Sequence, residues 1–397
     1  MSFEGERNGG RGMKGRHSQA EKRRSHRPRQ KRKSTARKVV GGVIGSIGEI
    51  LLVAAVVIAL YVVWQLWWTG VVSQQTQEQD AQAYTSSWTS AKQAGSYKVA
   101  PAHEAATAPV ESGSYIRGSV IAKIYIPRFG ARWARNVVEG TSQEDLNLHG
   151  LGHYETSQKA GAVGNFAAAG HRAGYGEPLA HVDEFKTGDK IIVRTAHYWY
   201  VYDYTSHEIV TPDQAEVVAP VPHQAGQTPT QRLITLTTCE PRYSTATHRW
   251  VSYGKLSSWS NVSEGIPAAL AGKDANGQVT FSQEEKPSLT TSFAALPDTG
   301  KIALIAFLAY AVTYLAAAFS LRYGALRAHL RTPAEDRPLF SLFSWINRLQ
   351  PGPAAIRAVL LILLVVGLVA ALFQWGYPWA AVNIPYLRFS SNYVSVN

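Results

Sequence analysis

Residues 39–69 read VVGGVIGSIGEILLVAAVVIALYVVWQLWWT, and from Ile50 to Trp68 the only strongly polar residue is Gln65. At 1.5 Å per residue, a helix of about 20 such residues crosses the hydrocarbon core of a bilayer. Trp64, Trp67 and Trp68 stand at its C-terminal end, where an aromatic belt is expected. Two further apolar runs extend from Ile302 to about Leu321 and from about Val359 to Phe373, the last followed by Trp375, Tyr377 and Trp379. Three such runs commit the chain to a membrane, and everything else must fit between or outside them. The apolar core of the first run exceeds the 7–15 residues usual for a cleaved signal peptide, so it reads as an uncleaved signal anchor.

Charge is as segregated as hydropathy. Of 40 Lys and Arg, 14 lie in residues 1–38, with only three of the 28 Asp and Glu. The other 359 residues hold 26 basic and 25 acidic groups, so the net charge of +12 belongs to a tail. That argues against nucleic acid as a partner, which needs Lys and Arg on a folded face. The tail reads as a topology determinant facing membrane lipid. Arg322, Arg327, Arg331, Arg337, Arg348 and Arg357 all fall between the second and third runs. Basic residues stay cytoplasmic, and both clusters give one answer. The N-terminus and the loop 322–357 are inside; residues 70–300 and the C-terminus are outside.

The resulting organisation is a basic cytoplasmic tail 1–38, a signal anchor 39–69, a linker 70–114, a soluble domain 115–260 and a second linker 261–300. A span 301–321, a cytoplasmic loop 322–357, a span 358–375 and an extracytoplasmic tail 376–397 follow. Residues 70–114 are rich in Gln, Ser, Thr and Ala without apolar periodicity, which predicts a loosely ordered stalk. The soluble domain is mainly β. Ser119–Pro127, Lys190–Arg194, Tyr198–Tyr204, Leu233–Thr238 and Arg249–Leu256 carry the β-branched and aromatic residues of strands. Short helices are expected near Ser142–Leu148 and Pro178–Asp183. Several strands without long helices predict a small barrel or sandwich.

One cysteine in 397 residues excludes a disulfide scaffold and a Cys-rich metal site. Cys239 ends the strand-like run Leu233–Cys239, and Pro241 cannot continue a central strand. The thiol is therefore predicted at a strand terminus. A nucleophilic thiol needs a proton acceptor, and a proton donor for its leaving group. Among the domain's histidines His171 stands out, after the small run Asn165-Phe-Ala-Ala-Ala-Gly170 that lets backbones pack closely. His149 and His153 are four apart, but Gly150 and Gly152 between them speak against a helical metal pair. Acyl transfer also needs positive charge or donors for the developing oxyanion. Arg249 opens the strand after the Cys239 loop, and Arg242 is a fallback. No cofactor and no metal are implied.

The ordered set Gly164-Asn-Phe-Ala-Ala-Ala-Gly-His-Arg172, Thr235-Leu-Thr-Thr-Cys239, Pro241 and Arg249 resembles the sortases, membrane-anchored cysteine transpeptidases of mainly Gram-positive bacteria. Ile126-Pro-Arg128, Val138-Glu-Gly-Thr141 and Gly152-His-Tyr154 are similar to the actinobacterial members, and the pattern is most similar to class E. The chain departs from that class in carrying Glu240 where His is usual, and in a Cys-to-Arg spacing one residue longer. The resemblance implies a closed eight-stranded β-barrel. It implies Cys239 as nucleophile, His171 as general acid/base and Arg249 as oxyanion or substrate anchor, with Thr237 and Thr238 lining the substrate groove. The implied partners are proteins bearing a Leu-Pro-x-Thr-Gly or Leu-Ala-x-Thr-Gly sorting signal and a cell-wall precursor amine, which anchors surface proteins to the wall. A pilin polymerase using a pilin Lys, and a non-catalytic membrane scaffold, are the alternatives. Leu296-Pro-Asp-Thr-Gly300 is itself such a pentapeptide, beside the second apolar run. It stands there by chance or as a self-processing or autoinhibitory segment.

Overall fold

The computed structural model describes residues 35–390 except 85, 94–95, 131, 225, 283–297, 322 and 334–337. Residues 1–34 of the basic tail, residues 283–297 of the second linker, Arg322, Arg337 and the last residues of the C-terminal tail lie outside the described set. Helix α1 (Thr35–Val63) passes through a π-helical turn at Trp64–Trp68 into α2 (Thr69–Tyr84). The segment expected as a loose stalk thus begins as a regular helix, and because its buried face is largely polar it shows no apolar period.

Short strands β1 (Lys92–Gln93), β2 (Ser96–Tyr97) and β3 (His103–Glu104) lead to the barrel. Its strands are β4 (Val120–Tyr125), β5 (Ala134–Glu139), β6 (Leu151–His153), β7 (Gly164–Ala169) and β8 (Lys190–Arg194). β9 (Tyr198–Val210), β10 (Arg232–Glu240) and β11 (His248–Asn261) complete it. The order β10-β7-β6-β5-β4-β8-β9-β11 closes through the β10–β11 pairing, giving eight strands in a ring. This is the barrel that the resemblance implies. Helix α3 (Gln143–Leu148) starts on a capping box, with Ser142 Oγ accepting from Asp145 N and Asp145 Oδ2 accepting from Ser142 N. The helix expected near Pro178–Asp183 is only a 3-10 turn at Val182–Glu184.

Alternation puts Ile124, Phe166, Ile191, Tyr202, Ile234 and Leu236 inside the barrel, all buried. A second cluster covers the outer face of β4, β8 and β9, where Tyr125, Ile192 and Trp199 meet Val262, Ile266 and Leu270. Residues 261–282, read as linker, therefore pack on the barrel. They include the hairpin β12 (Ala271–Lys273) and β13 (Val279–Phe281). Their apolar residues are too widely spaced to show a period.

Helices α4 (Thr299–Ser320), α5 (Gly324–Arg331), α6 (Leu342–Leu349) and α7 (Ala354–Ala371) follow. Among the described residues three helical stretches are long and apolar enough to cross a membrane: Val39–Tyr84, Thr299–Ser320 and Ala354–Asn383. They pack on one another. A Cβ on Gly367 of α7 would lie 2.8 Å from the Phe307 ring of α4, so a small residue sets that approach. Trp64 Nε1 donates to Phe373 O at 3.1 Å and Tyr377 Oη to Val57 O at 2.9 Å. The Glu49 carboxylate accepts from Leu342 N at 2.5 Å, at the N-terminus of α6. Of the pentapeptide, Leu296 and Pro297 lie outside the described residues. Asp298 caps α4 by accepting from Gly300 N, and Thr299 Oγ1 bonds Gln374. The Thr299–Gly300 peptide thus sits in a helical first turn, which would have to unwind to enter an extended-strand groove.

Ile124→Ala is expected to destabilise the barrel by about 2–5 kcal/mol, through lost burial plus a cavity. Ile116→Ala, at a side chain 73% exposed, should stay within about 0.5 kcal/mol. Denaturant titration of both variants checks the pair.

Candidate active site

Three neighbouring segments converge at one end of the barrel. β10 pairs antiparallel with β11, and Cys239 faces Arg249 in that register. On its other side β10 runs parallel to β7, with Thr237 opposite Ala169. Cys239 lies two residues past Thr237, and His171 two residues past Ala169, beyond the end of β7. Gly170 N donates to Thr237 O at 3.1 Å, which carries the contact between the two segments one residue further toward His171. The strand ends at Glu240, one residue past the thiol, and the Glu240–Pro241 peptide is cis.

All three groups are buried: His171 is 3% exposed, Arg249 5% and Cys239 7%. Burial pushes the His171 pKa down to about 4. Burial also pushes the Cys239 thiol up, and the positive charges of Arg249 and Arg172 oppose that rise. At neutral pH the thiol and the imidazole are accordingly both neutral. The Asn147 carbonyl oxygen accepts from His171 Nε2 at 2.8 Å, which assigns the proton of the neutral ring to Nε2 and leaves Nδ1 as the basic nitrogen. The Tyr175 ring lies against the imidazole at 5.0 Å between centroids.

The outer face of β10 carries Thr235, Thr237 and Cys239, opposite the face of Ile234 and Leu236 that fills the barrel. Thr237 lines a small pocket with Tyr154, Arg249, Val210, Val217 and Val251, bordered by residues 211–218. Tyr154 Oη and Thr237 Oγ1 are 2.9 Å apart. Burial raises the Tyr154 phenol, Arg249 lowers it and Cys239 raises it, so all three share one electrostatic environment. Thr238 faces the other way, and its Oγ1 donates to Gly170 O at 2.7 Å, one residue before His171.

The family described as the Sortase domain matches residues 124–257. The chain is 33% identical over 261 residues to Sortase SrtE1 of Streptomyces coelicolor, covering 64% of this chain and 68% of that protein. It is 30% identical over 225 residues to Sortase SrtE2 of the same organism, covering 55% of this chain and 84% of that protein. The chain is a sortase. Among solved structures, sortase E from Streptomyces avermitilis is 39% identical and covers 39% of this chain and 99% of its own, with a TM-score of 0.36. The SrtA sortase from Actinomyces oris is 41% identical over 41% of this chain and 93% of its own, with a TM-score of 0.38.

Sortases are cysteine transpeptidases, and this sortase carries its single thiol on β10 beside Arg249. Arg242, the fallback cation, is instead tied to Glu177 at 2.6 Å. His149 and His153 diverge to different carboxylates, Asp80 at 2.5 Å and Glu139 at 2.6 Å. Three residues around the site had no role in the sequence reading. Asn147 carried no signal. Tyr154 and Arg172 sat inside quoted motifs without a role. The Arg172 guanidinium lies 5.0 Å over the Trp250 ring and pairs with both Glu240 and Asp183. The acidic residue after the cysteine thus compensates a buried arginine.

Two pH-dependent outcomes follow from this burial. The alkylation rate of Cys239 should keep rising with pH beyond the ordinary thiol range, and Arg249→Met should move the profile higher still. Stability should fall with pH between 6.5 and about 4, because the unfolded histidine binds a proton there and the folded one does not. His171→Phe should flatten that limb in thermal melts recorded across the range.

Proposed function

We propose that this sortase cleaves a Leu-Pro-x-Thr-Gly or Leu-Ala-x-Thr-Gly sorting signal after Thr, outside the cytoplasm, and transfers the protein to a cell-wall precursor amine. One observation supports the reading: Cys239 is paired with Arg249 across β10 and β11, and His171, buried like both of them, follows two residues after β7, the strand on the other side of β10. As the signal fills the groove, Cys239 Sγ gives its proton to His171 Nδ1 and attacks the Thr carbonyl carbon. The carbonyl π electrons move to oxygen, and the Arg249 guanidinium stabilises that oxyanion. Collapse breaks the Thr–Gly C–N bond, and His171 returns its proton to the departing Gly nitrogen. The thioacyl enzyme is then attacked by the acceptor amine, which loses a proton to His171, and the Cys239 thiol leaves. Thr237 and Tyr154 border the groove where the signal lies beside the thiol.

Three apolar helices support a membrane-anchored enzyme. The arginines of 322–357 and the basic tail support an N-terminus inside and a catalytic domain, residues 115–260, outside. That is the side on which exported substrates and wall precursors meet.

The test uses the full chain in detergent with both peptides, a Gly-based amine and product masses. Cleavage after Thr with transfer to the amine is expected from the wild type. Cys239→Ala and His171→Ala should lose about 10³-fold or more, as residues that act as a unit do. Arg249→Met should lose about 10²–10³-fold in kcat, the scale for one oxyanion donor. Cleavage that survives Cys239→Ala would contradict the mechanism. Transfer to a Lys side chain in preference to the Gly amine would move the assignment to pilin polymerisation.

A further inference from the structure

The helix that leaves the membrane continues into the catalytic domain. At 1.5 Å per residue the 16 residues of α2 extend about 24 Å past the Trp64–Trp68 turn. The sequence of α2 is polar, yet Thr69 and Ser73 are 4% and 0% exposed. Thr69, Ser73, Gln77 and Asp80 are spaced by three and four residues and share one helical face. Each is bonded across to the domain. Thr69 Oγ1 donates to Gln65 O at 2.7 Å and accepts from Tyr175 N at 2.9 Å. Ser73 Oγ donates to Leu148 O at 3.2 Å, and Gln77 O accepts from Asn136 Nδ2 at 2.7 Å. Asp80 Oδ2 meets His149 Nδ1 at 2.5 Å. A Cβ on Gly70 would lie 3.3 Å from Gly176 N, so helix and loop approach at backbone distance.

The segments touched by Thr69 and Ser73 are the two that hold His171. Ser73 bonds the last residue of α3, next to Asn147, whose side chain bonds the imidazole. Thr69 bonds the backbone of Tyr175, whose ring packs on the imidazole. That loop is strained. Gly174, Tyr175, Gly176 and Glu177 run consecutively with φ of 69°, 52°, 78° and 45°. A non-glycine residue keeps such a conformation only where its surroundings over-determine it. For Tyr175 the acceptor of its N–H is on the anchor helix.

We propose that the first turns of α2 are a positioning element of the active site. Thr69 and Ser73 are positioning residues that hold the Tyr175 loop and the end of α3 against His171, so that turnover depends on the docked anchor helix. The inference rests on His171 serving as general acid/base.

The experiment uses the full chain in detergent micelles and compares Thr69→Val, Thr69→Ser, Ser73→Ala and His171→Ala. Thr69→Val keeps the shape and removes the acceptor for Tyr175 N. Small misplacement of a reacting group costs rate rather than binding, so kcat should fall about tenfold with KM within about twofold. Thr69→Ser should recover to within about twofold of wild type, and Ser73→Ala should lower kcat in the same direction. Hydrogen–deuterium exchange over residues 172–178 should quicken in Thr69→Val and not in Thr69→Ser, a readout that needs no substrate. Unchanged kcat and exchange in Thr69→Val, while His171→Ala is inactive, would overturn the inference and leave the catalytic reading standing. Equal losses in Thr69→Val and Thr69→Ser with a lowered Tm would also overturn it, in favour of a merely structural contact. Turnover surviving His171→Ala would instead overturn the catalytic reading on which the inference rests.

Discussion

The hydrogen-bonded ladder between β10 and β11 runs unbroken from Leu233 opposite Lys255 to Glu240 opposite His248. It closes the sheet into a barrel, and it is also what sets Cys239 beside Arg249. Without it, β10 and β11 would each present an open edge of unpaired backbone groups. With it, β10 is paired on both sides, antiparallel to β11 and parallel to β7. The parallel side delivers the chain that leads into His171. Backbone register thus sets Cys239 opposite Arg249, and His171 follows two residues beyond the last β7 residue paired with β10.

Burial determines the electrostatics of that arrangement. It disfavours both thiolate and imidazolium, so the resting pair is neutral, and two arginines offset part of the cost on the sulfur. Their charges are not equally available. Arg172 is shared with Glu240 and Asp183 and stacked over Trp250, whereas Arg249 lines the pocket with Thr237 and Tyr154. Glu240, the residue that follows the cysteine, pairs with Arg172.

Much of this was legible in the sequence where local chemistry and period agree. Lys190–Arg194 forms the strand that its β-branched residues predict, Ser142 caps α3, and Pro241 ends β10 just past the thiol. The three long apolar helices were legible because runs of about 20 apolar residues make a helix long enough to cross a bilayer. Other features lacked a local signature. β7 is GNFAAA, poor in β-branched residues and buried on both faces, so it shows no alternation. The docking face of α2 is Thr, Ser, Gln and Asp, which reads as a solvated linker until its hydrogen-bond partners are seen. Period two puts Thr237 and Thr238 on opposite faces of β10, one toward the pocket and one toward Gly170. Asn147 reaches His171 from a segment 24 residues away, a contact that only the tertiary fold creates.

In the proposed mechanism acyl transfer runs through a covalent bond to the Cys239 sulfur at the end of the β10–β11 ladder. The most direct measurement is the intact mass of the full chain, acid-quenched milliseconds after mixing with a Leu-Pro-x-Thr-Gly or Leu-Ala-x-Thr-Gly peptide, followed by peptide mapping. The expected result is an added mass equal to the peptide fragment ending in Thr, located on Cys239 and discharged when a Gly-based amine is supplied. Turnover without any such adduct on Cys239, or an adduct that the amine fails to discharge, would contradict it.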